Sequence, residues 1–251
     1  MSLNLQKDFS SLGIKENYLY EILATTFSIH ENLIVPNTAS MGIRLVDNNL
    51  IKIWPYTSTT TYKNIVSNKI LIINFVDDVY LYALTSLKNI NKSNEVEALT
   101  EQFYNYFTLA TNVKAEYKEI LKRYTPSDSV NLPYLKQAWA IITCVATNKN
   151  KSLKCDDYGK SELMEINLKV ISYGKFRESF KLYNRAENLT LETIVLATKL
   201  KIATEKKDET LIRRISSKIE ENSEEIRRFG KNKNAIKAIE HVKNYINGLG
   251  L

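Results

Sequence analysis

Cysteine and histidine are scarce in this chain. Its 251 residues include two cysteines, Cys144 and Cys155, and two histidines, His30 and His241. The cysteines form no C-x-x-C pair and the histidines stand apart, so the sequence offers neither a zinc motif nor a disulfide framework. We therefore expect reduced, structural thiols and no metal site.

Long apolar runs are also missing. No stretch of eighteen apolar residues occurs, so no transmembrane helix is predicted and no membrane partner is expected. Residues 1–11 are polar, carry Lys7 and Asp8, and lack the apolar core of a signal peptide. The expected location is therefore the cytoplasm.

Positive charge is in excess, with a net of +7, but it is unevenly placed. Residues 1–150 carry 14 basic and 13 acidic side chains, and residues 151–251 carry 21 and 15. In the second part the basic residues alternate with acids, as between Arg213 and Arg228, which is typical of a solvated helix face with salt bridges. Nucleic acid is therefore not the expected partner.

Strand patterns dominate from Tyr18 to about Tyr173. The turn sequence at 47–49 predicts a hairpin, and the continuous apolar run at 70–76 predicts a strand buried on both faces. The predicted strands are Tyr18–Phe27, Asn37–Val46, Leu50–Ile53, Ile70–Val76, Trp139–Thr147 and Glu162–Tyr173.

Helices are predicted between and after these strands. One begins at Asp78 and ends near Leu87, and another begins near Asn94 with a capping box to Glu97. The second helix is predicted to carry three apolar side chains on one face: Leu99, Phe103 and Phe107. Three further amphipathic helices follow, at Ala186–Thr204, from Asp208 to Gly230, and up to Gly248.

Five consecutive hydroxyl side chains, Thr57–Thr61, stand between two predicted strands and lead into a short helix that ends near Asn68. Hydroxyl groups and the N–H groups of a helix N-terminus together make a neutral anion site that could hold a phosphate. The alternative is a strand end followed by an ordinary N-cap, because threonine suits both positions.

Five sequence elements follow one another in this part of the chain: Thr25-Thr26, Pro36–Gly42, Tyr56 with the hydroxyl run, Thr61–Ile65 and Ile72–Phe75. This ordered set resembles the FMN-binding split-barrel flavoproteins, and most closely the flavin-reductase-like members of a mainly archaeal family of unassigned function. The resemblance is clearest over residues 12–88. It continues more weakly through 134–173 and 184–200, where the family also has helices.

The resemblance implies a fold and an assembly. The expected class is α+β, with an antiparallel split β-barrel of the Greek-key type, inserted helices and a C-terminal helical subdomain. The FMN-binding barrel domain would span 12–177, with inserted helices at about 78–125, and the three-helix subdomain would span 184–248. The family also implies a homodimer with the flavin site at the subunit interface, and a small-molecule electron donor such as a reduced nicotinamide.

The resemblance also implies roles for particular residues. Pro36–Gly42 would pass the isoalloxazine ring, and the hydroxyl run would hold the ribityl and phosphate groups. Ser40 stands where relatives more often have proline, and no Arg or Lys precedes Lys63 in the phosphate loop. The implied cofactor-binding residues are Thr26, Asn37, Ala39, Ser40, Met41, Gly42, Tyr56, Thr57, Ser58, Thr59, Thr61 and Asn64.

The chemistry predicted from these features is that of a flavoprotein. No Ser/His/Asp arrangement and no pair of carboxylates at a spacing suited to catalysis stands out. The sequence therefore does not support a hydrolase, and no catalytic residue is assigned. A flavin carries hydride and electron transfer itself. The predicted function is an FMN-binding oxidoreductase of unknown substrate. The alternatives are a deazaflavin-binding reductase and a non-catalytic binding or assembly module that has lost flavin affinity. The aromatic candidates beside the ring are Trp54, Tyr56, Tyr62 and Trp139.

Overall fold

The computed structural model describes the chain in nine stretches: residues 12–17, 19–31, 33–47, 49–87, 99–110, 129–156, 159–178, 185–229 and 232–251. The chain divides into two compact units. The barrel unit comprises residues 1–76, 100–154 and 160–179, and the helical unit comprises residues 77–99, 155–159 and 180–251.

Six strands of the barrel unit close into an antiparallel barrel in the order β1-β2-β3-β8-β7-β4, and β5 and β6 form a separate two-stranded sheet. This architecture confirms the predicted α+β class and the antiparallel barrel. The strands are β1 (Leu19–His30), β2 (Leu33–Asp47), β3 (Leu50–Ile53), β4 (Ile70–Phe75), β5 (Tyr104–Ala110), β6 (Ser129–Leu135), β7 (Ala140–Asp156) and β8 (Gly159–Lys175).

The first three strands form a meander. β1 pairs with β2 along its whole length, and β2 pairs with β3 through the predicted hairpin, in which Arg44 lies opposite Lys52. The hairpin turn is closed by Asp47, whose Oδ1 accepts a hydrogen bond from the N–H of Asn49 at 2.8 Å. This is the local bond for which aspartate is favoured in turns.

Alternating aliphatic side chains fill the barrel interior. Ile43 and Leu45 of β2, and Ile51 and Ile53 of β3, are buried in one cluster. β4 is buried at all six positions, because its other face is covered in part by β6. The predicted burial of this strand on both faces is therefore confirmed. Each fully buried Ile or Leu side chain contributes about 1.5–3 kcal/mol through the hydrophobic effect.

The prediction of a helix that begins near Asn94 and carries Phe107 is wrong in the part of that region that the structure describes. Residues 88–98 and 111–128 lie outside the described part of the chain. Glu101–Phe103 form a single 3-10 turn, and Phe107 lies in strand β5. This segment forms a strand rather than a helix because buried and exposed side chains alternate along its second half and because β6 pairs with it.

One short helix, α1 (Thr60–Asn68), belongs to the barrel unit, where it packs against β1 and β2. It ends where predicted. Its C-cap residue Lys69 has φ of 62°, and the Lys69 N–H donates to the carbonyl oxygen of Ile65. The left-handed conformation at this position terminates the helix and directs the chain into β4.

The helical unit contains four described helices: α2 (Val79–Ser86), α3 (Arg185–Glu205), α4 (Glu209–Phe229) and α5 (Lys233–Gly248). The predicted starts of α2 and α4 are confirmed, because Asp78 Oδ1 accepts from the N–H of Tyr80 at 2.9 Å and Asp208 Oδ1 accepts from that of Leu211 at 3.0 Å, as helix caps do. Among the residues that the structure describes, no helix has the combination of length and apolar character that crossing a membrane requires.

Candidate functional site

The hydroxyl run forms a turn and the N-cap of α1. Tyr56 makes an isolated bridge to Leu163 of β8. Thr59 caps the helix: its Oγ1 accepts from the N–H of Tyr62 at 3.3 Å and donates to the carbonyl oxygen of Tyr56 at 2.8 Å. The first turn of α1 holds no acidic side chain. The positive end of the helix dipole is therefore not neutralised by a carboxylate of its own first turn.

The members of the run differ in exposure. Ser58 and Thr60 are exposed, Thr57 is half-buried and Thr61 is buried. The N–H groups of the first helical turn have no acceptor within the helix. Thr59 accepts from Tyr62, and no described residue accepts from the N–H groups of Thr60 and Thr61, so these two groups are available to a ligand. Exposed hydroxyls and first-turn amides thus meet at one end of α1.

Four of the predicted site residues form a buried cluster, which we call the Thr26 cluster: Thr26, Asn37, Thr61 and Asn64. Asn37 Nδ2 donates to Thr61 Oγ1 at 3.2 Å and to Thr26 Oγ1 at 3.4 Å. Asn64 Nδ2 donates to Thr26 Oγ1 at 3.2 Å, and that hydroxyl donates to the carbonyl oxygen of Asn37 at 3.4 Å. The cluster fastens the N-terminal half of α1 to β1 and β2.

The predicted ring-binding residues Ala39, Ser40, Met41 and Gly42 lie on β2 and are half-buried. β1 pairs with this segment on one side. On the other side β3 pairs with β2 only from Ile43 onward. Because the backbone groups of a strand alternate between its two edges, half of those in this segment point away from β1, toward the edge that β3 leaves uncovered.

A close approach of strands occurs at Gly42. A Cβ atom added there would meet the Cδ1 atom of Leu19 at 3.1 Å. Leu19 is 59% exposed, so its side chain can move aside. Packing therefore does not strictly require glycine at this position.

A second polar network was not predicted as part of the site. Thr38 Oγ1 lies 2.9 Å from Tyr104 Oη and 2.8 Å from Thr25 Oγ1. Asn74 Nδ2 donates to Thr25 Oγ1 at 2.9 Å, and Asn74 Oδ1 accepts from the N–H of Leu135 at 2.8 Å.

Because Tyr104 and Leu135 are paired across β5 and β6, these bonds form a closed loop, which we call the Tyr104 circuit. All five residues are buried. Burial raises the pKa of Tyr104 to about 12, against a smaller lowering by the bond to Thr38, so its hydroxyl is protonated at neutral pH.

An ion pair between β3 and β8 holds the side chain of Trp54, the residue that directly follows β3. Lys52 Nζ lies 2.8 Å from Glu165 Oε1, and the indole N–H of Trp54 donates to Glu165 Oε2 at 3.2 Å. The hydrogen bond from Lys52 is the largest cause that lowers the pKa of Glu165. The guanidinium carbon of Arg44 stands 5.8 Å from the centroid of the Trp54 ring.

The other aromatic candidates take different positions. Trp139 packs against Phe75 with ring centroids 5.4 Å apart and contacts the barrel core. Tyr62 also packs against that core, whereas Tyr56 is 41% exposed. Among the described residues, His, Cys, Asp and Glu side chains form no group of three or more that could hold a metal ion.

The family described as "Protein of unknown function (DUF447) N-terminal domain" matches residues 20–176. The chain belongs to this family. The match covers the barrel strands and the segments that carry the candidate site. It confirms the resemblance to a family of unassigned function that the sequence motifs predicted. No protein with curated annotation matches the chain.

A solved member of the DUF447 family has the same fold. It is an FMN-bound protein from Methanosarcina mazei, 22% identical, which aligns over 95% of this chain and 100% of its own with a TM-score of 0.62. A split-barrel domain protein from Shewanella frigidimarina, described as a putative flavin reductase, is 10% identical over 62% of this chain and 66% of its own, with a TM-score of 0.41. A flavin reductase solved with NADP+ is 15% identical over 70% and 90%, with a TM-score of 0.38.

Proposed function

We propose that this DUF447 protein binds FMN and acts as an oxidoreductase. The observation that carries the proposal is that the bond from Asn37 Nδ2 to Thr61 Oγ1, at 3.2 Å, fastens two features of the barrel unit to each other. One is the N-terminus of α1, whose first turn has exposed hydroxyls and no acidic side chain, and the other is the edge of β2 over Asn37–Gly42 with which no described strand pairs. The FMN-bound Methanosarcina protein of the same family supports the choice of ligand.

The phosphate is assigned to the start of α1. Thr57, Ser58 and Thr60 offer hydroxyls, and the N–H groups of Thr60 and Thr61 complete a set of donors at the positive end of the helix dipole. Lys63 is exposed on the same helix and adds a positive charge within a turn. Each hydrogen bond to a charged group stabilises a complex by about 1.5–3 kcal/mol.

The flavin ring is assigned to β2. The backbone groups of Ala39, Ser40 and Met41 that point away from β1 would meet the polar edge of the isoalloxazine. The side chains of the Thr26 cluster support the site indirectly. Those of Thr26, Asn37 and Asn64 bond to one another and hold α1 and β2 at a fixed separation.

Bound flavin supplies hydride and electron transfer, and the protein supplies binding and orientation. The electron donor that we propose is a small reduced molecule such as a nicotinamide. Trp54 is held by Glu165 two residues before Tyr56, so these two aromatic side chains are the candidates to border the ring on the β3 side.

Titration with flavins tests the ligand. FMN is expected to bind at least about tenfold more tightly than FAD, a difference of about 1.4 kcal/mol, because the start of α1 suits a terminal phosphate rather than a bridging pyrophosphate. Quenching of flavin fluorescence measures both affinities. Tighter binding of FAD, or of a deazaflavin, would replace the proposed cofactor, and indifference to all three would favour a non-catalytic module.

We also propose a homodimer. The end of the β1–β2 hairpin exposes three large apolar side chains, Ile29, Leu33 and Val35, at 38, 68 and 42% of their surface. Exposed apolar surface of this kind is typical of an interface, and Val35 lies two residues before the segment assigned to the ring. Light scattering at micromolar concentration is expected to give twice the monomer mass of 28.9 kDa. A clean monomer would contradict the dimer.

A further inference from the structure

The Tyr104 circuit reaches the strand segment that we assign to the flavin ring. Thr38 stands between Asn37 and Ala39 on β2, and successive side chains of a strand point to opposite faces. The Thr38 hydroxyl is therefore on the face opposite to its two neighbours, where it contacts Tyr104 Oη at 2.9 Å. The β5–β6 sheet thus grips β2 from the face away from the barrel interior.

We propose that Tyr104 is a positioning residue for the flavin ring, acting through its hydrogen bond to Thr38. This inference rests on the proposed binding of FMN. It goes further by assigning a role in the site to the β5–β6 sheet, through a residue that touches no part of the cofactor.

Burial strengthens the hydrogen bond between Tyr104 and Thr38. Tyr104 and Thr38 are each 3% exposed and Thr25 is fully buried, so water does not compete for their hydroxyls. A buried hydroxyl that loses its partner keeps the cost of its desolvation. The far end of the circuit is also fixed, because Asn74 bonds to Thr25, to the carbonyl oxygen of Leu23 and to the N–H of Leu135.

The bond to Tyr104 matters most for the segment of β2 that precedes Ile43. Up to Gly42 the strand has β1 as its ladder partner on one side, and β3 covers the other side only from Ile43. Because no described strand pairs with this edge before Ile43, the segment can shift by tenths of an ångström when a side-chain anchor is lost. Hydrogen bonds to a ring edge weaken over such displacements because their strength depends on distance and angle.

The test compares two tyrosines of one strand. Tyr104→Phe removes the buried hydroxyl and keeps the ring, and Tyr106→Phe makes the same change at a position that is 41% exposed. Full-length protein is titrated with FMN and with riboflavin, well below the melting temperature of each variant. Tyr104→Phe is expected to weaken both ligands by about tenfold, leave their affinity ratio unchanged, and shift the absorption band of the bound flavin. Tyr106→Phe is expected to match the original protein.

A second pair of variants separates positioning from general destabilisation. Thr38→Val keeps the shape of the side chain and removes its hydroxyl, whereas Thr38→Ser keeps the hydroxyl. Thr38→Val is expected to reproduce the tenfold loss and the spectral shift, and Thr38→Ser to restore the original affinity and spectrum. Because Thr38→Val already removes the bond to Tyr104, the double variant Tyr104→Phe with Thr38→Val is expected to bind the flavins no more weakly than Thr38→Val alone. If Tyr104→Phe does not fold, the two Thr38 variants decide alone.

The outcomes separate the two proposals. If the unaltered protein binds neither FMN nor riboflavin, the proposed function fails and this inference fails with it. If the protein binds both flavins, and Tyr104→Phe or Thr38→Val lowers the melting temperature while affinity and spectrum stay the same, FMN binding stands. The circuit is then purely structural and the positioning role is overturned.

Discussion

Replacing Ser58 with glutamate is expected to weaken FMN binding by at least a hundredfold and to leave riboflavin binding almost unchanged. Ser58 is exposed and lies directly before the N-cap of α1. A carboxylate there would face the phosphate that we assign to the same helix end. Riboflavin has the same ring and ribityl chain but no phosphate, so it does not meet this repulsion.

Two effects add in this variant. A phosphate monoester carries a charge of about −1.5 to −2 at pH 7. Two unit charges 4 Å apart interact by about 1 kcal/mol in water and about 4 kcal/mol at an effective dielectric constant of 20. The lost hydroxyl removes about 1.5–3 kcal/mol more, since its acceptor is charged. A hundredfold change requires about 2.7 kcal/mol, which these terms together exceed.

Two control variants isolate the cause. Ser67→Glu makes the same change of charge at an exposed position in the last turn of α1, and it is expected to change FMN affinity by less than about threefold. Ser58→Gln adds bulk without charge and is expected to fall between the original protein and Ser58→Glu. Titrations of FMN and riboflavin by fluorescence give the affinities. Equal weakening of the two ligands by Ser58→Glu would contradict a phosphate at the start of α1.

Asn74→Leu is expected to lower the free energy of unfolding by at least about 3 kcal/mol, because each buried polar group that loses its partner costs about 1–3 kcal/mol. Asn74 is fully buried on β4, and its side chain bonds to Thr25, Leu23 and Leu135. Leucine has a similar volume and no polar atom, so the change leaves a hydroxyl, a carbonyl oxygen and an N–H without their partner.

Urea denaturation of the original protein and of Asn74→Leu measures this loss as a lower midpoint for the variant. The matched control is Asn105→Leu on β5, where the side chain is exposed and its bond to Tyr134 Oη is 3.5 Å long. That change is expected to alter stability by no more than about 0.5 kcal/mol. Similar midpoints for the two variants would show that the Tyr104 circuit adds little to the stability of the barrel.

The strands were predictable because their signals are local. The apolar run at Ile70–Phe75 and the turn at Asp47 fix elements within a few residues of themselves, and both predictions are confirmed. β5 was assigned to a helix because the spacing of Leu99, Phe103 and Phe107 suits a helix face. The choice of strand depends on pairing with β6, which lies about twenty-five residues further along the chain and leaves no local trace.

The candidate site was predictable in part for the same reason. The hydroxyl run is visible in sequence, and so is asparagine within an apolar strand, as at Asn74, whereas the position of the N-cap, Thr59, comes from the structure. The partners of these side chains are not visible. Asn37 and Thr61 stand 24 positions apart and Thr38 and Tyr104 stand 66 apart, so neither contact could be inferred before the barrel was known. Whether the predicted residues contact a flavin stays a prediction.

The closure of the barrel sets an order of events during synthesis. β3 pairs with β8, more than a hundred residues later, and β4 pairs with β7. While the ribosome is still making the middle of the chain, the first four strands exist with two open edges. Such edges can recruit strands from other nascent chains. Folding is therefore expected to wait for the last strand, and long-range pairing of this kind makes it slow. A chaperone that shields strand edges would raise the yield of protein more than one that protects helices.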